Sequence, residues 1–535
     1  MTNDKPPTIV VGAGPVGLTM ALALTRQGAD CRVVDREPER NIGTGCHVLW
    51  PRTLESLEAA GLPVTDLVAK GVILERKTFH LGRESFSHGL ADPYSLWPLP
   101  LSVPQRILEQ ALTEALAARG VTVERGAEVT GASPGDREVR LTVRREDRQE
   151  EIPAAYAVFA TGGAQGPAGS QARRRATPLP PAAVAHVDVR LPARPGFDDA
   201  TEHIFLGAGA SVGLVPLPGG RHRLFVSIAG ASPVTAPPPT WRDLSDRVRD
   251  LAGLHDGVED LGAGWWFIPR HCIAERFGSG RCFLLGEAAS AVPMPVHGLN
   301  IGIQDAANLA WKLASVLRGE SGPWLLDTYS AERRAVAEKA AESAARILAY
   351  GTAADPGATH RERIRRSRHD VKTEQPIRYA AGALHRDAIG GEGVTAGEHL
   401  AECPVTTAAG TPTTLLRSMS TGQAWTLLIV TGPRPSRTLA AGVAAARSIA
   451  AGERGVRVRV VHGHDGAAPG PDDLLDPDGT AHRTLGAAEP SVYLVRPDGF
   501  IGYRGSLEDL NGLRAYTQAV ISSRSAVPAP AGEPL

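Results

Sequence analysis

Arg281–Leu313, RCFLLGEAASAVPMPVHGLNIGIQDAANLAWKL, is the stretch whose reading decides the fold. It divides into a continuous apolar run that reads as a buried strand, a loop rich in glycine and proline, and a long helix. Far upstream, Ile9-Val-Val-Gly-Ala-Gly-Pro-Val-Gly17 also passes from strand to glycine turn to helix. Either segment alone is weak evidence. In this order on one chain they point to a single ligand held between two distant parts of the sequence.

The upstream segment reads as a βαβ unit. Thr8–Val11 is continuously apolar, as a buried parallel strand is. Val16, Ala21 and Leu24 give residues 16–27 helical spacing, and Arg32–Asp35 is the next strand. Gly12, Gly14 and Gly17 stand as GxGxxG. The first allows the tight turn, the second lets backbone approach a pyrophosphate at the helix N-terminus, and the third lets helix and strand pack closely. Pro15 and Val16 open the helix. Asp35, with Arg36 after it, ends the second strand where a carboxylate takes a ribose hydroxyl pair. An acid there favours FAD or NAD over NADP. Downstream, Gly286-Glu287 places a carboxylate at a strand C-terminus. The 293–300 loop, with Pro295, Gly298, Leu299 and Asn300, then enters a helix predicted to start at Gln304. Its N–H groups are suited to a flavin carbonyl, which favours FAD.

Composition bounds the rest. The chain has 535 residues, enough for two or three domains, and a formal net charge of −1. Nothing global favours nucleic acid or a membrane surface as partner. The five cysteines are scattered without CxxC or metal-ligand spacing, so no metal is expected and a reducing, cytoplasmic setting is. No signal peptide is read at the N-terminus, and no apolar run reaches the roughly 18 residues of a membrane span.

The expected fold class is α/β. Residues 1–178 and 273–397 form the two parts of a Rossmann-type FAD domain, 179–272 an inserted antiparallel sheet, and 398–525 a small α/β domain. Residues 103–119 read as an amphipathic helix and 325–350 as a long helix. The basic run 361–369 reads as a solvated helix face, and Pro497-Asp498-Gly499 as a hairpin turn.

The stretches VVGAGPVGLTMALAL, PRTLESLEAAG, PQRILEQAL, GRCFLLGEAAS, GLNIGIQDAANLAWKLASVLRG and LLDTYSAERR resemble the p-hydroxybenzoate-hydroxylase-like family of FAD-dependent aromatic monooxygenases, nearest its polyketide-tailoring branch. YLVRPDGFIGYRG in the tail resembles that branch's thioredoxin-like third domain, here without CxxC. Its expected role is packing, or association of two copies into a homodimer. The resemblance implies flavin reduction by NAD(P)H and oxygen transfer from a flavin C4a-hydroperoxide to a polyketide-like small molecule. It places Gln105 by the flavin and Glu287 near the ribityl chain. It sets the substrate on the inserted sheet, with Trp97, Leu214, Pro216, Phe225, Trp265, Trp266 and Met294 as lining residues. His47 and His297 are the polar candidates for catalysis.

Departures from the family pattern cluster around one cofactor. The family's Arg-Ala before the RTLE helix corresponds to Gly45-Cys46. Its Asp-Gly-Ala-Arg-Ser, which serves FAD and the nicotinamide cofactor, corresponds to Gly162-Gly-Ala-Gln-Gly166. Gly-Asp becomes Gly286-Glu287, a histidine becomes Ser290, and Gly-Gln-Gly becomes Val296-His297-Gly298. A charge-assisted hydrogen bond is worth ~1.5–3 kcal/mol, so these losses put NAD(P)H binding in doubt more than FAD binding. Two readings follow: a working monooxygenase in secondary metabolism, or a non-redox cyclase of the decalin-forming [4+2] type in which flavin is structural.

Overall fold

In the computed structural model, the described residues are 6–39, 46–146, 148–163, 174–179, 182–192, 197–207, 210–230, 236–262, 264–352, 377–419, 422–432, 438–463 and 470–522. Gly45, Gln165 and the basic run 361–369 lie outside them.

Thr8–Val11, buried at all four positions, pairs in parallel with Cys31–Val34 on one side and Ala157–Phe159 on the other. Ala157–Phe159 pairs in parallel with Cys282–Leu284. The two segments that carry the sequence signal therefore lie two strands apart in one sheet, and both turn at their C-terminal ends into glycine. The helix after the first strand, Pro15–Arg26, packs against Pro295–Leu317 through fully buried Leu18, Leu22, Ile303 and Leu309. Each such leucine contributes ~1.5–3 kcal/mol by leaving water.

Pro295–Leu317 begins well before the Gln304 expected from sequence. Pro295 occupies the first turn, where a missing N–H costs nothing and the fixed φ suits the helix. The helix expected from 103 begins at Gln105 instead, because Leu101–Pro104 is a buried strand.

The inserted sheet is larger than its sequence signal. Ala182–Arg190, Arg221–Ala229 and Ala210–Leu217 form antiparallel neighbours, and Thr201–Leu206, a strand not read from the sequence, pairs antiparallel with Ala210–Leu217. The sheet continues through Arg76–Leu81, parallel to Thr201–Leu206, and Glu84–Gly89. That hairpin was not anticipated. One face is covered by Trp241–Ala252, which starts at a Thr240/Asp243 capping box and ends at left-handed Gly253. Leu244 and Val248 of this helix pack on Ala185, Val187, Leu214, Leu224 and Val226.

In the C-terminal region, Trp425–Val430 lies parallel to Val456–His462 and antiparallel to Ser491–Val495. The expected hairpin joins Ser491–Val495 to Ile501–Ser506. Trp425 meets Trp311 of the Pro295–Leu317 helix edge to face at 5.5 Å. Beside it, Arg496 and Asp498 of the hairpin enter a closed ionic cluster with Glu332, Lys312 and Asn308. No helix among the described residues is long and apolar enough to cross a membrane.

Candidate functional site

The first strand ends in a cradle whose shape depends on its glycines. Gly12 sits at φ +107°, and a Cβ there would lie 2.4 Å from the Ala160 carbonyl oxygen. A Cβ at Gly17 would lie 2.0 Å from the Gly12 oxygen. Gly14, by contrast, faces open space, with nothing within 4 Å of its Cβ position. It precedes a helix with no side-chain cap, so the first N–H groups are left for a ligand, and the helix dipole favours an anion there. Asp35 closes the cradle: Oδ2 accepts from the Ala13 N–H at 2.5 Å and Oδ1 from the Glu37 N–H at 2.8 Å. Arg36 turns outward to Glu37. An open glycine, uncapped N–H groups and an adjacent carboxylate suit the pyrophosphate and ribose of a dinucleotide.

The second half of the cradle comes from 282–304. Gly286 has φ +56°, and its Cβ position is 3.3 Å from both Val16 methyls. That packing sets the two glycine turns edge to edge. Buried Asp305 accepts from Arg333 Nε at 2.6 Å, and the Gly286 N–H also favours its charged form. Burial raises the Asp305 pKa more than these partners lower it. Glu287 is half-exposed and pairs with Arg270 at 2.5 Å. This pair lies over the Gly162–Gly163 turn: a Cβ on Gly163 would meet Arg270 Nη2 at 2.0 Å and Glu287 Oε1 at 2.9 Å. Ser290 Oγ is buried without a partner.

Met294 is the N-cap of Pro295–Leu317 and offers no side-chain cap. Gly298 has open space at its Cβ position, and Leu299 packs on the core. Asn300, predicted to face the cofactor, is placed as a staple. Its Oδ1 accepts from the Trp50 N–H and its Nδ2 donates to the Val48 carbonyl, both at 2.9 Å. Gln105 donates to Glu109 at 2.6 Å. His297 meets Trp50 edge to face at 4.9 Å, with its Nδ1 buried and unpartnered. Burial, and then nearby Lys77, push its pKa down to about 4, so the ring is neutral at pH 7. Trp50 and His297 also line a cavity of about 350 Å³, together with residues of the Pro295–Leu317 and Trp324–Thr352 helices and of 377–385. The His47 backbone pairs with Val103, while its side chain lies outside the described residues.

The proposed lining residues divide. Phe225 and Trp265 share one face of the inserted sheet. Phe225 packs beside Val48, Trp50 and Val215, and Trp265 stacks between His186 at 4.6 Å and Arg223 at 4.0 Å. Leu214 and Trp266 belong to the opposite face, under the Trp241–Ala252 helix, and so does Pro216 by strand alternation. This corrects the expectation that all of them line one surface. Trp97 lies elsewhere again: its Nε1 donates to Glu58 at 2.6 Å, and Arg417 of the C-terminal region covers its ring. Arg270, Trp50 and Asp305 were not singled out from sequence. Only Asp305, within QDAANLAWKL, lay in a stretch that drew notice.

A family model described as FAD binding domain matches residues 5–344. The chain is 32% identical to the 6-methylpretetramide 4-monooxygenase of Streptomyces rimosus, over 97% of this chain and 94% of that protein. Its fold matches aklavinone-11 hydroxylase, solved with FAD and aklavinone, at a TM-score of 0.76, 22% identity, and coverage of 97% of this chain and 100% of that one. The Diels-Alderase PyrE3 matches at a TM-score of 0.67 and 21% identity, over 97% and 100%.

Proposed function

The chain belongs to the FAD binding domain family, and on that premise we propose that it is a flavin-dependent monooxygenase acting on a polyketide-like intermediate of antibiotic biosynthesis. The observation that carries the reading is the two-sided cradle. Gly14 and its uncapped helix face open space beside Asp35, while Gly286 abuts Val16 from the other half of the chain. The near full-length likeness to a 6-methylpretetramide 4-monooxygenase supports the substrate class.

FAD, when bound, would supply the redox chemistry, with NAD(P)H as the hydride donor and O2 as the source of the transferred oxygen atom, its other atom leaving as water. The chain's residues do the rest. The first helix's N–H groups hold the pyrophosphate, and Asp35 keeps lone pairs for ribose hydroxyls. The uncapped start of Pro295–Leu317 presents N–H groups toward developing negative charge. Phe225 and Trp265 offer an apolar surface that excludes water from the reacting face. Neutral His297 orients substrate by hydrogen bonding rather than by charge. The 398–525 region we read as a thioredoxin-like domain that docks. Its single cysteine, Cys403, is buried and has a pKa raised to about 12, chiefly by desolvation. We place the protein in the cytoplasm.

The second reading, a non-redox cyclase, is favoured by one observation: where the family pattern carries Asp, Gly162 carries no side chain, and among the described residues only Glu287 Oε2, at 4.0 Å, comes near its Cβ position. Stopped-flow mixing of the FAD-loaded protein with NADH or NADPH separates the two. Rapid loss of the flavin's visible absorbance, accelerated by substrate, is the expected result. No bleaching across a broad substrate set overturns the monooxygenase reading.

A further inference from the structure

We propose that Tyr379 is a positioning residue for the cofactor turn at Gly286, and that through it the FAD cradle takes its full form only when the C-terminal hairpin, residues 491–506, is docked. The inference rests on the FAD part of the reading above, not on its substrate or its reductant. It gives the C-terminal region, which carries no CxxC, a role in cofactor binding.

The turn at Gly286 is held from one side by the Trp324–Thr352 helix. Tyr329 and Arg333 lie one turn apart on that helix, and both are fully buried. The Tyr329 hydroxyl donates to the Leu284 carbonyl at 2.8 Å, two residues before Gly286. Arg333 Nε donates to Asp305 at 2.6 Å, and the Gly286 N–H favours the charged form of that carboxylate. The packing around the turn has no slack. A Cβ at Gly302, one turn before Asp305, would lie 2.7 Å from a Val16 methyl and 3.0 Å from the Gly286 Cα. A shift of Asp305 therefore reaches both glycine turns of the cradle.

Arg333 is fixed through all three of its nitrogens. Besides Nε, Nη2 donates to the Ile301 carbonyl at 3.2 Å and Nη1 to the Tyr379 hydroxyl at 3.0 Å. A planar guanidinium with a partner on each nitrogen has one orientation. Without the Tyr379 oxygen, one arm of a buried cation loses its acceptor. Tyr379 is in turn set by the hairpin. Its ring centroid lies 4.5 Å from that of Phe500, and the Arg496 guanidinium lies 5.3 Å from its ring. Asn308, which donates to the Tyr379 hydroxyl at 3.3 Å, also donates to Asp498 at 3.2 Å. A contiguous path thus runs from Phe500 and Asp498 to Tyr379, from Tyr379 to Arg333, and from Arg333 through Asp305 to Gly286. Contiguity permits coupling, and a double-mutant cycle measures it.

The test uses the full-length chain, stripped of FAD and titrated with it while flavin fluorescence is followed. Tyr379→Phe keeps the ring and removes only the oxygen. It is expected to raise the FAD Kd by about tenfold, the effect of one hydrogen bond to a buried charge. Phe500→Ala should act in the same direction from the hairpin side. The double variant should be no more than about twofold worse than the weaker-binding single variant, because both cut one path. Linkage supplies a readout that a merely structural tyrosine would not move. FAD should slow hydrogen exchange at the amides of 491–506 in the parent, and not in Tyr379→Phe. The parent arm needs no variant, so it decides even where Phe500→Ala does not fold. A parental FAD Kd in Tyr379→Phe, multiplied effects in the double variant, or hairpin exchange in the parent that is indifferent to FAD each overturns the proposal. A parent that binds no FAD overturns the cofactor reading as well, and the first titration shows it.

Discussion

Two ionic groups lie on either side of the Pro295–Leu317 helix and differ in almost every respect. Behind it, Arg496, Lys312, Glu332 and Asp498 form a cluster whose side chains are 0–7% exposed and mutually paired. In front, Arg270 and Glu287 form one pair that is 53% and 43% exposed. Burying four charges is tolerable only because opposite signs balance and the hydrogen bonds are made. Such a cluster has no capacity left for a ligand. An exposed pair contributes little to stability, yet water or a ligand can exchange into it. The chain has concentrated charge where the C-terminal hairpin docks and thinned it where the family pattern places its charged cofactor contacts.

The largest effect is expected at the buried cluster. Arg496→Ala leaves Glu332 and Asp498 facing each other without their shared cation, and removing one partner of a buried pair costs about 3–5 kcal/mol. Chemical denaturation should show that loss, with the C-terminal region becoming protease-sensitive first. Replacing Arg496 and Glu332 together by Met and Leu should recover much of it. If the single variant is as stable as the parent, the cluster is not what holds the hairpin.

Acid should act on the same cluster. His385 Nε2 accepts from Arg496 at 2.7 Å, and its Nδ1–H donates to the Ala380 carbonyl at 3.2 Å. Desolvation, then the Arg496 charge, lower its pKa to about 4. Because the folded-state value lies below the unfolded ~6.5, the unfolded chain binds the extra proton between the two. Stability is then full above about pH 6.5 and falls as pH drops toward 4, by about 2–3 kcal/mol for this group. His385→Gln should flatten that part of the Tm–pH curve. An unchanged slope would show that other groups control acid unfolding.

How far these contrasts could be read from the sequence depends on whether they are local. The GxGxxG cradle and Asp35 were legible because turn, helix start and strand end lie within one βαβ unit. The early start of Pro295–Leu317 was signalled by Met294-Pro295, but the glycine at 298 argued for loop. The Arg76–Gly89 hairpin was hidden by polar residues on both strands. Leu214 and Phe225 were both apolar and both on strands. Alternation separates their faces but does not say which face a helix covers. The ionic groups were least legible. Arg496 and Glu332 are 164 residues apart, and no periodicity links them.

The smallest effect on stability, and the sharpest on function, is expected at the exposed pair. Arg270→Ala should change unfolding free energy by no more than about 1 kcal/mol, the usual limit for an exposed ion pair. It should still weaken FAD binding, because Glu287 then presents an unbalanced negative charge beside the cradle that takes a pyrophosphate. Gly163→Ala tests the same point from the other side, since its Cβ would displace the Arg270 guanidinium from a position only 2.0 Å away. Both variants should fold like the parent and show a similar rise in the FAD Kd, measured by flavin fluorescence on the apo-protein. The two act by different routes, one deleting the cation and the other evicting it. Agreement between them would assign the effect to the charge beside Glu287. A rise with Gly163→Ala alone would assign it to the shape of the turn.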